Sequence, residues 1–375
     1  MIGIHELLNR MAEKNGSDLY LSVGAPPILK IDGHATPLGT TPVNASTMLD
    51  MAREMMDAEG LHDFQMDKEA NFAMGIQHVG RFRVNGFFQR GEIGFVIRAI
   101  KSHIPTLADL RLPSILESLA VTPRGLVLFV GATGSGKSTS LAAMIQHRNQ
   151  HHAGHILTIE DPIEFLHSNQ LSIVNQREVG VDTRNYENAL ENALREAPDV
   201  ILIGEIRGRA VMDHALAYAE TGHLCLSTLH ANNANQAIER IINFFPEDRK
   251  KQLLMDLSLN LRAVVSQRLL PIQGQTGRIA AMEILINTPA IADLIYKGEV
   301  GHIKEIMSKP NEVGMHTFDQ HLLTLYMDQL VGYEDALNAA DSQNDLRLSI
   351  KQACLAAGTP LNSGSTGSET TAWSV

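Results

Sequence analysis

Cysteine is scarce in this chain: Cys225 and Cys354 are the two among 375 residues. Two thiols cannot build a disulfide framework or a four-cysteine zinc site, so both read as structural thiols in a reducing cytosol. Positive charge is not in excess either. The net charge is −11, and sequence-independent binding to a phosphate backbone depends on clustered lysine and arginine displacing counterions. Nucleic acid is therefore excluded as an expected partner. Nowhere does the chain run apolar for the roughly 18 residues that a membrane-spanning helix needs, which excludes a direct membrane span. The first residues, Met1 to Ser17, set Ile2, Ile4, Leu7, Leu8 and Met11 at helical spacing among Glu6, Arg10, Glu13 and Lys14. That is a short amphipathic helix and not a signal peptide. No internal repeat is found, and the single tryptophan, Trp373, falls in a terminal stretch of glycine, serine and threonine at 358–375 that reads as a disordered tail.

The rest of the chain changes character near residue 100. Before it, Asp18 to Val23 and Ile28 to Ile31 read as strands, Ser46 to Phe64 as one helical stretch, and Asn71 to Ile76, Gly80 to Gln89 and Gly94 to Ile100 as a meander. Residues 1–100 thus predict an α+β domain with an antiparallel sheet. The stretch 101–114, with Pro105 and Pro113, suits an interdomain linker. After it, Leu126 to Val130, His155 to Glu160, Val200 to Ile203 and Leu224 to Thr228 alternate with helical stretches, the pattern of a parallel sheet wrapped by helices. Beyond Pro271 the expectation is mostly helix: Ile291 to Lys297, Ile303 to Met307, Thr317 to Gln329 and Tyr333 to Ala340. The second domain then covers 115–350, and the fold class is α/β overall.

The chemistry centres on Gly131-Ala132-Thr133-Gly134-Ser135-Gly136-Lys137-Ser138, continued by Thr139. It fits the phosphate-binding pattern G-x-x-x-x-G-K-[ST] and lies between an apolar strand and a helix, the order such a site needs. Glycines let backbone N–H groups converge on a phosphate, the helix points its positive end at that charge, Lys137 reaches the β- and γ-phosphates, and Ser138 can ligate Mg²⁺. Hydrolysis also needs a carboxylate to hold the metal through water or to align the attacking water. Glu160 with Asp161, and Glu205, each follow a strand-like run, and ligands of open α/β sheets sit beyond the carboxyl ends of the strands. Glu205 is the stronger candidate because Gly204 permits close backbone approach beside the phosphate loop; a helix cap or surface charge is the other reading of these carboxylates.

His223 and His230 bracket the apolar run Leu224 to Leu229. A strand-end histidine beside a phosphate can donate to it from neutral imidazole, while a core histidine satisfied by its neighbours explains the same spacing. His147, His151, His152 and His155 read as a solvated helix end and loop, since no cysteine or carboxylate completes a ligand set nearby. Arg81 and Arg83 share one face of a strand by period two, and Arg98 lies on the next strand; by themselves they read as solvated.

Taken together, several stretches resemble one family: the ring-forming secretion and pilus motor ATPases, and within it the PilT/PilU-type retraction motors of twitching motility. They are Arg81-Phe82-Arg83-Val84-Asn85, the phosphate loop, Thr158 to Phe165, Val174 to Val179, Leu194 to Asp199, and Thr221-Gly222-His223 with Thr228-Leu229-His230. The likeness runs from Ser17 to about Leu348. It implies an N-terminal PAS-like domain, a RecA-like ATPase domain with a helical C-terminal region, and a homohexamer with ATP sites between the domains. It also implies an aspartate box at Glu160, Asp161 and Glu164, a Walker B carboxylate at Glu205, and a histidine box at His223 and His230. Arg81, Arg83 and Arg98 become candidate arginine fingers toward a neighbouring subunit's γ-phosphate. ATP and Mg²⁺ follow, the metal on Ser138 and, through water, on Glu205.

Two departures stand out. Gly208 occupies a place where the family usually has Asp, and Ala290 to Lys297 lacks both arginines of the retraction motif A-I-R-N-L-I-R-E. With Gly314 to Gln320, this variation resembles the PilU type, whose members resemble accessory motors acting with a PilT-type ATPase and an inner-membrane platform protein at the cytoplasmic face. The alternatives are an ATP-binding regulatory or scaffold subunit, and a pilus assembly or type II secretion ATPase. The last usually carries a tetracysteine zinc insertion, for which the cysteines here are too few.

Overall fold

The computed structural model describes residues 3–31, 33–100, 103–310 and 313–357. The expected tail at 358–375 with Trp373, and the expected connector's residues 101 and 102, lie outside the described residues. The chain forms two compact units. The first comprises the residues up to Ile104 with Asp161–Ser168 and Arg177–Asn185; the second comprises Pro105–Glu160, Asn169–Gln176 and the residues from Tyr186 on.

In the first unit the order is α1 (Ile4–Glu13), β1 (Asp18–Ser22), β2 (Ile28–Ile31), β3 (His34–Pro37), α2 (Ala45–Met55), α3 (Ala58–Asp67), β4 (Glu69–Ile76), β5 (Gly80–Gln89) and β6 (Glu92–Ile100). Ile4, Leu7, Leu8 and Met11 are buried along one stripe of α1, as their spacing requires. The helical stretch expected at Ser46 to Phe64 is two helices. Asp57 interrupts it, taking the N-cap position of α3 and accepting from the Gly60 N–H at 2.8 Å. The sheet is antiparallel and runs β3-β2-β1-β6-β5-β4, so the expected meander is joined to the first strands through β1 and β6.

The second unit continues with α4 (Ile115–Ala120), β7 (Gly125–Val130), α5 (Lys137–His151), β8 (Gly154–Glu160), β9 (Ser172–Glu178), α6 (Tyr186–Ala193), β10 (Val200–Ile203), α7 (Arg209–Glu220), β11 (Leu224–Leu229), α8 (Ala234–Asn243), α9 (Glu247–Asn260), β12 (Leu261–Pro271), β13 (Arg278–Ile286), α10 (Pro289–Lys297), α11 (Ile303–Met307), α12 (Phe318–Met327), α13 (Tyr333–Ala339) and α14 (Gln343–Ala357). Its sheet runs β13-β12-β7-β11-β10-β8-β9. Strands β12, β7, β11, β10 and β8 are parallel, and β13 is antiparallel to β12. Every residue of β7, β10 and β11 is buried, the mark of parallel strands covered on both faces.

The expectation of helix beyond Pro271 is corrected by β13, and β12 is a strand that the sequence reading left out. Both are buried on both sides. Ala280, Met282 and Ile284 join the main core of the unit, while Ile279 and Ala281 face a second core built on Phe318, Leu322 and Leu337. A strand with no polar face shows no period of two. The four C-terminal helices expected by sequence are present, with α14 added.

Candidate phosphate-binding site

The phosphate loop leaves the end of β7 and enters α5 at Lys137. Gly134 and Gly136 hold φ of +79° and +90°, a region costly for other residues, and open space lies where a Cβ on Gly134 would stand. Gly136 is the N-cap of α5 and supplies no side-chain bond, and no acidic residue occupies the first turn. The positive end of a 15-residue helix therefore faces the loop without a carboxylate of its own. Lys137 is 8% exposed, and its Nζ donates to the Gly131 and Ala132 carbonyl oxygens at 2.8 and 2.9 Å. Ser135 Oγ is buried with no hydrogen-bond partner. The hydroxyl, the lysine and the helix end fit a phosphate chain, which would supply acceptors to all three. Ser138 is exposed at the first turn and Thr139 half-buried beside it.

The strand order lays the other candidates along the same edge. Leu229 pairs with Val130, so His230 follows β11 beside Gly131; Ser227 pairs with Ile203, and Ile203 with Ile159. Glu205 is thus two strand spacings from β7, about 10 Å, and Glu160 three. Glu205 Oε1 lies 3.2 Å from His230 Nε2, and its Oε2 accepts from Arg207 Nε at 2.9 Å. Both oxygens of this half-buried carboxylate are thereby oriented. Glu160 Oε1 accepts from the Thr158 hydroxyl at 2.7 Å and from Gln176 Nε2 at 3.2 Å. Gly204 does permit a close approach, though not to the phosphate loop as expected. A Cβ there would meet the Tyr186 hydroxyl at 2.8 Å and Glu160 Cα at 3.2 Å, because β10 ends against β8.

His223 stands at the other edge. Its carbonyl accepts from Gly125 N at the start of β7, and its Nδ1 lies 3.1 Å from the Thr221 hydroxyl. One strand cannot deliver both of its ends to one edge, so β11 carries His230 to the phosphate loop and His223 away from it. Asp161 and Glu164 are exposed in the first unit.

The arginines also belong to the first unit. Arg83 pairs directly with Arg98 across β5 and β6, and Asp18 pairs with Arg98 across β1. With Arg81 two residues before Arg83, the three guanidinium groups originate on one face of the sheet. Phe82 and Val84 of the opposite face are buried. Like charges directly opposite one another are unfavourable; the carboxylate of Asp18, 3% exposed, holds Arg98 Nε at 2.7 Å and offsets part of that repulsion.

Residues not anticipated come from β12, β13 and the loop after β11. Asn232, Gln267, Arg268 and Arg278 line, with residues 131–135, a cleft of about 360 Å³. A second cleft, about 410 Å³, lies on the Gly136 and Thr139 side and is walled by Leu110, Leu112, Leu269 and Ile279. The one sequence signal for β12 was the polar pair Gln267-Arg268 inside an apolar run. Among the described residues no group of three or more His, Cys, Asp and Glu is placed to hold a metal ion. Mg²⁺ does not need one, since it is usually held by one or two side chains together with substrate phosphates and water.

The sequence profile described as "Type II/IV secretion system protein" matches residues 4–317. A type IV pilus ATPase, PilU, of Pseudomonas aeruginosa is 56% identical over 92% of this chain and 91% of its own. The type IV pilus retraction ATPase PilT of the same organism is 41% identical over 90% of this chain and 98% of its own. A crystal structure of the pilus retraction motor PilT with bound ADP superposes with a TM-score of 0.86, at 39% identity, covering 93% of this chain and all of that one.

Proposed function

The chain belongs to the Type II/IV secretion system protein family, and from that membership we propose that it is an ATP-hydrolysing motor that powers retraction of type IV pili. It is an ATPase of the PilT/PilU type. The observation that carries the reading is one edge of one sheet that combines a glycine-cradled lysine and helix end with a carboxylate fixed by His230 and Arg207. Charge-bearing loop and water-aligning carboxylate are the two parts that hydrolysis of a phosphoanhydride requires.

In this reading the loop's N–H groups and Lys137 bind the β- and γ-phosphates. Glu205 orients the attacking water, and His230 holds Glu205 in place and reports on the γ-phosphate. Ser138 and, through water, Glu205 would hold Mg²⁺, which when bound neutralises charge on the phosphates. The cleft beside Gly136 is of mixed polarity, and its wall of Leu110, Leu112, Leu269 and Ile279 suits the flat face of a nucleobase. By resemblance Glu160, Asp161 and Glu164 are the family's acidic segment, and Arg81, Arg83 and Arg98 serve a neighbouring subunit's γ-phosphate in a homohexamer. The placing of Arg83 directly opposite Arg98 supports a functional use of that face. His223 belongs to the same proposal by resemblance, away from its own chain's loop. The first unit, with its six-stranded antiparallel sheet, is read as PAS-like and the second as RecA-like.

The cell-level role proposed is a PilU-like accessory to a PilT-type ring, bound to an inner-membrane platform protein at the cytoplasmic face. No helix among the described residues is long and apolar enough to cross a membrane. A second reading, a nucleotide-binding scaffold in the retraction motor, is favoured by Gly208, which leaves the N-terminus of α7 beyond Glu205 without a side-chain cap.

Two substitutions test the site. Lys137→Ala removes a charge-assisted contact and is expected to weaken ATP binding about ten- to a hundredfold. Glu205→Gln should keep nucleotide within a few-fold of the wild type and lower kcat by about a hundredfold or more. Titration with a fluorescent ATP analogue and a phosphate-release assay separate the two. Wild-type turnover in Glu205→Gln would move the water-aligning role to another carboxylate.

A further inference from the structure

Strand β12 carries Gln267 to the phosphate edge of the second sheet. Ser266 pairs with Val130, so Gln267 stands beside Gly131. Gln267 is 3% exposed, and its backbone and side chain both abut the loop. A Cβ on Gly131 would lie 2.6 Å from the Gln267 carbonyl oxygen, and one on Gly136 would lie 2.7 Å from Gln267 Nε2. Its Oε1 accepts from the hydroxyl of Ser140, itself 1% exposed, at 2.9 Å. One buried amide therefore packs against the glycine that precedes α5 and is tied to the first turn of that helix.

The segment that bears Gln267 is itself anchored. The next residue, Arg268, ion-pairs with Asp341 at 2.7 Å and lies 3.9 Å over the Phe318 ring. Its Nη1 also donates to the Ala339 carbonyl. Leucine at 267 with alanine at 140 would fill the same space without burying this amide–hydroxyl pair, so packing alone gives no reason for the two polar side chains here.

The geometry points to Gln267 as a positioning residue of the phosphate site: lodged against Gly136 and bonded to Ser140, it sets the angle at which the loop turns into α5. That angle aims both the N–H groups of the loop and Lys137. The inference rests on the loop being the ATP site, and it concerns how well that loop is preformed before nucleotide arrives.

The test is titration of the full-length protein with N-methylanthraniloyl ATP, with steady-state kinetics and with thermal unfolding in the absence of nucleotide. Gln267→Leu should weaken binding and raise KM about tenfold, within the range an ångström of misplacement costs, while kcat stays within about threefold of the wild type. Ser140→Ala should weaken binding less. The double variant should bind no more weakly than Gln267→Leu alone, because both changes remove one interaction. Gln267→Glu keeps an acceptor for Ser140 but puts a carboxylate beside the phosphates, so it should bind more weakly than Gln267→Leu and recover partly in salt-screened comparison at high ionic strength. Wild-type affinity in Gln267→Leu and Ser140→Ala, or additive losses in the double variant, would overturn the role. If Gln267→Leu does not fold, Ser140→Ala, which removes a single oxygen, decides by its affinity. Lys137→Ala in the same titration keeps the two readings apart. Full affinity there would remove the ATP-site reading itself, whereas loss there with no change at Gln267 and Ser140 removes the positioning role alone.

Discussion

Glu205 owes its orientation to two residues that sequence distance treats differently: Arg207 lies two positions on, and His230 lies across a strand. The phosphate loop was legible because its residues are contiguous and each type has a separate duty at a phosphate. The pairing of Glu205 with His230 was not, since it depends on β10 and β11 being neighbours in the sheet. Gln267 was hidden for the same reason. Gly208 is a departure whose consequence is now specific. It is the N-cap of α7 in extended backbone with φ −175°, open to any residue, and it makes no side-chain bond. Gly208→Asp should therefore cap the helix and complement its dipole. The expected gain is about 0.5–1 kcal/mol, a rise of roughly 1–3 °C in Tm at this domain size. A scan without nucleotide checks it; an unchanged or lower Tm would mean that the N-terminus of α7 is already satisfied.

Among the elements, a wet face or a short apolar run made a strand or helix legible: β7, β10 and β11, buried at every residue, show as brief apolar runs. Helix α1 and strands β5 and β6 show their period because one face is wet, whereas β12 and β13 lie between two apolar cores and lose it. The edge strand β3 failed for the opposite reason, being exposed throughout. Strand β13 is also joined to the start of α12. Ile284 and His316 exchange backbone hydrogen bonds, and Met282 N–H donates to His321 Nδ1 at 2.9 Å. Burial, aided by neighbouring His316, pushes the His321 pKa down from 6.5 to about 4, and burial does the same for His167. A histidine whose folded value is lowered leaves the unfolded chain binding more protons between the two values. Its stabilising contribution is full above pH 6.5 and is lost as pH falls toward about 4. For His321 the loss is on the order of 3 kcal/mol. Tm measured across that window should fall, and His321→Asn, which keeps an acceptor for Met282, should fall less steeply. Parallel curves would place the acid sensitivity elsewhere.

At the scale of the whole molecule, the resemblance to secretion and pilus ATPases was available from motifs spread over most of the chain, and the family match and the relatives' coverage agree with it. What motifs could not supply was which candidates share an edge. The second unit gathers the loop, Glu205, Glu160 and His230 and carries His223 to the other side, while the first unit sets three arginines on one face of a separate sheet. On the proposed function, hydrolysis, and not nucleotide binding alone, is what a retraction motor must contribute. The most direct measurement is pilus retraction against an optical trap in cells carrying the wild type, a deletion or Glu205→Gln, with surface pili counted in parallel. Deletion and Glu205→Gln should both lower the stalling force while surface pili remain. Wild-type force in Glu205→Gln cells alongside loss in the deletion would contradict a motor in favour of a scaffold, and disappearance of surface pili on deletion would contradict retraction itself.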